Sequence, residues 1–166
     1  MTELKMSFAP IEGRHLLGIV DEFIALLDGP RDDADPALDR LSPAAYPDDA
    51  EASAEFRRST RDDGFDQRLA DALEVRTRLD RFEERGDTDL DDATDPNDTG
   101  ETLSIGSETL DSWLRTLSGI RLVLASRLGI ERTDAHDLED LRFGTYDWLG
   151  YRLELLVQLA DEHEAR

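Results

Sequence analysis

The sequence contains no cysteine. That absence excludes disulfide bridges, thiolate metal ligands, a nucleophilic thiol and any cysteine-based redox switch. Lysine is almost missing as well: Lys5 stands alone, and every other basic residue is arginine. No apolar run approaches the roughly 20 residues that span a bilayer, and the opening MTELKMSFAP lacks the basic start and long apolar segment of a secretory signal. The expectation is a cytoplasmic chain without membrane contact. Positive charge is scarce, with 40 acidic residues against 19 basic ones and a formal net charge of -21. Phosphate binding needs a clustered basic surface, so direct contact with nucleic acid is not expected. A basic protein partner, or plain solubility, suits such a surface better.

What is present is apolar periodicity. The chain of 166 residues fits a single domain over 1–166 with one core. LKMSF alternates Leu4, Met6 and Phe8 with polar neighbours, as a short half-buried strand does. Pro10 suits a first helical turn, and Leu16, Leu17, Val20, Phe23, Ile24 and Leu27 recur at spacings of three and four, predicting a helix stopped by Gly29-Pro30. Further helices are predicted over 36–41, over 50–61 with Asp48 or Asp49 as cap and Phe56 as anchor, and over 65–84. TLSIGSE repeats the opening theme: Leu103 and Ile105 alternate, and Ser107 is placed to cap a helix carrying Trp113, Leu117, Ile120 and Leu124. A shift of 97 positions lays Phe8 on Ile105, Leu16 on Trp113 and Val20 on Leu117. Two strand-helix units of one plan follow, with their strands available to pair. A short helix near 133–141 and a last one over 145–162 complete an all-α, mostly helical bundle with a minor two-stranded β ribbon.

Between the two units, residues 86–101 hold six aspartates within twelve positions. Asp87, Asp89, Asp91 and Asp98 match positions one, three, five and twelve of a calcium loop. Position six, which needs glycine, is Asp92, and position twelve lacks the bidentate glutamate, so the stretch reads as an acidic, mobile linker. His15, His136 and His163 share no metal-ligand spacing. There is no nucleophile elbow, Walker loop or dinucleotide fingerprint, and carboxylate pairs carry no specificity in so acidic a chain. No catalytic residue, cofactor site or metal site is expected, and the chain is read as a non-enzyme. Arg121 falls beside the apolar stripe of its helix, where a guanidinium needs a partner. Either it joins a structural network with Tyr46, Asp48 or Asp49, or it anchors a ligand. Trp113, Tyr146 and Trp148 read as core or interface aromatics.

Three segments, LSPAAYPDDAEASAEFR, WLRTLSGIRLVLASRLGI and YDWLGYRLELL, together resemble an actinobacterial domain-of-unknown-function family whose genes often neighbour that of the adaptor ClpS. The family includes AosR-type oxidative-stress transcriptional regulators. The resemblance implies a protein partner, a sigma factor or RNA polymerase, and no promoter-reading motif; the family's pair of N-terminal sensing cysteines has no counterpart here. Tyr46, Asp48, Asp49, Arg121 and Arg127 are the polar positions inside these segments and form the candidate ligand or partner site. An accessory role in ClpS-linked proteolysis, a small-ligand or enzymatic domain around Arg121, and homodimerisation are the alternatives.

Overall fold

The computed structural model describes residues 3–32, 34–42, 50–84, 100–131 and 136–165. Strand β1 (Leu4–Phe8) leads into helix α1 (Pro10–Asp28), followed by α2 (Pro36–Leu41), α3 (Ala50–Leu79) and the single turn α4 (Arg81–Glu84). Strand β2 (Glu101–Ile105) then leads into α5 (Ser107–Leu128), and a 3-10 turn (Leu141–Phe143) runs into α6 (Gly144–Glu164). The fold is mostly helical with one small antiparallel ribbon, as the periodicity predicts.

In the ribbon Leu4 pairs with Ile105, Met6 with Leu103 and Phe8 with Glu101. Leu4, Met6, Phe8, Leu103 and Ile105 turn inward and are buried, while Ser7 and Thr102 share a 2.9 Å hydroxyl hydrogen bond on the outer face. The repeat seen in the sequence is also spatial. Leu4 and Glu101, Phe8 and Ile105, and Pro10 and Ser107 all stand 97 positions apart, and so does the central pair Met6 and Leu103. A local two-fold axis therefore passes through that pair. It sends α1 and α5 away from opposite ends of the ribbon, and α3 packs between them. Trp113, Phe8, Phe65, Phe82, Leu16 and Leu117 are among the largest fully buried side chains in the core so formed.

Three local expectations need correction. Residues 50–61 and 65–84 do not form separate helices: α3 is continuous through Gly64, and the break falls at Asp80. A lone glycine costs a helix only about 1 kcal/mol, and burial of Phe65, Ala72, Val75 and Leu79 outweighs it. Ser107 is not a cap; Gly106 occupies that position and Ser107 is the first helical residue. Residues 136–140 form turns rather than a helix, because Asp137 and Asp140 accept hydrogen bonds from the backbone N–H two residues ahead. The proposed caps Asp48 and Asp49, the anchor Phe56 and the aspartates of 86–99 lie outside what the structure describes. Glu101, at the end of that linker, opens β2.

Helix ends follow their chemistry. Gly129 ends α5 with φ 76°, a left-handed conformation that favours glycine. Arg76 ties the end of α3 to Asp21 of α1 at 2.7 Å, and it also meets Asp80 and Glu83. No described helix is long and apolar enough to cross a membrane.

Candidate functional site

Arg121 sits on the side of α5 that faces α6. Its guanidinium carbon lies 4.1 Å above the centre of the buried Tyr146 ring, within cation–π range. Gly150 lies against the same guanidinium. A Cβ there would stand 3.0 Å from one terminal nitrogen and 3.1 Å from the guanidinium carbon, so the missing side chain lets α6 close over the arginine.

One turn away, His136 and Asp147 are hydrogen-bonded, with Nε2 2.8 Å from one carboxylate oxygen and 2.9 Å from the other. Only 5% of the His136 side chain is exposed. Its ring stacks on Phe143 at 4.4 Å and meets the edge of Tyr146 at 6.0 Å. Sequence spacing gives no sign of this pair, because His136 lies in irregular chain and finds its partner eleven residues later.

Arg121 and His136 border an open groove of about 520 Å³. Gly150, Leu153, Glu154 and Val157 of α6 make one wall, and Leu138 makes the lip opposite. The lip is unusual: Leu138 is 82% exposed and Leu141, one turn on, 94%, while Val157 is 42% exposed. Asp137 and Glu139 flank Leu138 in the chain. Among the described residues, no basic side chain pairs with Asp137, Glu139 or Glu154.

The other candidate residues are dispersed. Arg127 does not face the groove. It makes two 2.9 Å bonds to the two oxygens of Asp35, the N-cap of α2, which also accepts from Ala37 N–H at 2.9 Å. The Arg127 guanidinium, then these backbone bonds, hold the Asp35 carboxyl below its ordinary value. Tyr46, Asp48 and Asp49 lie outside the described residues.

A polar network between α3 and α5 escapes sequence reading altogether. Asp71, with 5% of its side chain exposed, accepts from Arg115 Nε at 2.8 Å, from Ser112 Oγ at 3.1 Å and from Gln67 at 3.3 Å. Ser112 Oγ also lies 2.5 Å from Glu74. Its single hydroxyl proton serves one carboxylate at a time. The serine's bonded side chains are acids, so the arrangement lacks the imidazole base of a serine nucleophile. Arg115 and the half-buried Arg68, whose terminal nitrogen donates to Leu41 O at 3.3 Å, balance the charge. Only the density of aspartate and arginine hides this cluster in the sequence.

His15 is exposed and lies 3.4 Å from Thr145 Oγ1. Trp113 is fully buried and Trp148 half-buried. Among the described residues, no group of three or more histidines and carboxylates is arranged to hold a metal ion.

No curated protein and no solved structure matches the chain. A family model does match, over residues 2–160, and with nearly its whole length covered the chain belongs to the family described as Domain of unknown function (DUF2017).

Proposed function

We propose that the chain is a non-enzymatic, acidic protein-binding regulator that acts in the cytoplasm on a sigma factor or RNA polymerase during stress, without a thiol switch. The observation that carries the protein-binding part is the groove beside α6, where solvent-exposed Leu138 and Val157 share the lining with Glu154, a carboxylate with no basic partner among the described residues. Exposed apolar side chains rimmed by polar ones mark contact surfaces, and unneutralised charge at a rim steers an oppositely charged partner. The choice of transcription machinery comes from the likeness to AosR-type regulators of actinobacteria. The absence of cysteine removes the redox part of that likeness.

A second reading, a small-ligand site, is favoured by the size of the same groove, which falls within the usual range of ligand pockets. Affinity capture of the tagged full chain from its host's lysate, with and without peroxide, separates the two. Enrichment of a sigma factor or core polymerase, equal in both conditions and weakened by salt, is the expected result. Recovery of Clp components alone would transfer the role to ClpS-linked proteolysis. Capture of nothing above background sinks the protein-binding reading and leaves the ligand site.

A further inference from the structure

The walls of the groove determine what kind of chain fits it. Asp147, Gly150, Leu153, Glu154 and Val157 belong to α6, and Arg121 belongs to α5. Backbone N–H and C=O groups in these helices are spent on helical hydrogen bonds, so these walls offer no ladder to an extended peptide. An occupant lying along α6 therefore gains no main-chain pairing from it and binds through its side chains. From Asp147 to Val157 the lining positions recur at spacings of three and four over about 15 Å, or about three turns. A second helix meets such a stripe ridge into groove.

Charge narrows the choice further. Of the charged groups that line the groove, Arg121 lies over Tyr146 and Asp147 is bonded to His136, which leaves Glu154 as the carboxylate beside the apolar contacts with no basic partner among the described residues. A second copy of a chain with net charge -21 would bring the same carboxylates face to face. Resting on the protein-binding reading, we infer that the occupant is a basic amphipathic helix of another protein. Its apolar side chains, spaced at i, i+3 or i+4 and i+7, enter between Leu138 and Val157. Its arginines or lysines reach Glu154.

The test uses the full chain and three labelled synthetic peptides, with binding read by fluorescence anisotropy. One is a helix with leucines at that spacing and arginines elsewhere. The second keeps the leucines and replaces arginine by glutamate, and the third scrambles the first so that its apolar stripe is lost. The basic amphipathic peptide should bind at least about tenfold more tightly than either control. The double variant Leu138→Asp, Val157→Asp alters exposed side chains only, and should weaken that binding by about tenfold with an unchanged circular dichroism spectrum. Glu154→Arg should weaken the same peptide and strengthen the glutamate one. No binding by the basic amphipathic peptide, or equal binding by its scramble or by the double variant, overturns the assignment. Self-association that the double variant abolishes makes a second copy the occupant and overturns it too. A partner captured from lysate equally by wild type and double variant sinks the helix assignment and leaves the protein-binding reading standing. Peptide binding intact with no lysate partner does the reverse.

Discussion

Glu12 joins α1 to α6 through one carboxylate. It accepts from Ala9 N–H at 2.9 Å at the start of α1, from Trp148 Nε1 at 3.2 Å and from Arg152 at 2.7 Å, both on α6. Arg152 in turn donates to the Ser7 carbonyl of β1 at 2.9 Å and lies 4.6 Å above the Phe8 ring. Burial pushes the Glu12 carboxyl up, but Ala9 N–H, Arg152 and Trp148 outweigh it and hold the group below its usual value. A carboxyl so depressed stabilises the fold above its unfolded pKa, and that stabilisation is lost as pH falls through the folded one. Glu12→Gln should therefore cost about 1–2 kcal/mol at pH 7, and the gap to wild type should narrow in urea titrations as pH falls below the ordinary glutamate value of 4.5. A gap independent of pH would mean that packing, not charge, is what the substitution removes. Asp71→Ala tests the α3–α5 network in the same way. It removes the ion-pair partner of Arg115 and the neighbouring charge that offsets the burial of Arg68, and a loss of about 1–3 kcal/mol is expected in chemical unfolding.

At the scale of elements, the two strand-helix units were legible because their apolar positions repeat in register, Phe8 with Ile105 and Leu16 with Trp113. Burial imposes that pattern, so it survives in the sequence. The continuity of α3 was not legible, since Gly64 carries a strong local breaking signal and the packing that overrides it comes from α1 and α5, distant in sequence. Of the candidate site, Arg121 stands out by its place on an apolar stripe, whereas His136 and Asp147 are joined by a turn whose path no local pattern predicts. Two glycines test how far packing, rather than propensity, governs these helices. In Gly13 of α1 a Cβ would come within 2.3 Å of the fully buried Phe82 ring. Gly13→Ala should cost about 1–3 kcal/mol through overpacking. Gly64 has nothing within 4 Å of such a Cβ, and Gly64→Ala should stabilise by about 0.5–1 kcal/mol. Melting temperatures that move in the same direction for both would refute the packing argument.

Over the whole molecule the excess of negative charge acts against compactness. Several of its arginines are engaged with specific acids, as in Arg31 with Asp62 and Asp66, and exposed pairs of this kind contribute less than about 1 kcal/mol each. The unbalanced remainder repels itself. Raising salt to about 0.5 M shortens screening to about 4 Å, so the melting temperature should rise with ionic strength while affinity for a basic partner falls. A melting temperature that drops with salt would show that the ion pairs outweigh the repulsion. The pairing of β1 with β2 carries a further consequence for the protein's synthesis. Leu4, Met6 and Phe8 are made before their ribbon partners at Leu103 and Ile105, which follow about 100 residues later. At ordinary elongation rates of about 5–20 residues per second, the opening strand spends about 5–20 s without its mate. In the nascent chain it is a sticky segment, open to chaperones or to a neighbour's β2, until β2 of its own chain has been made.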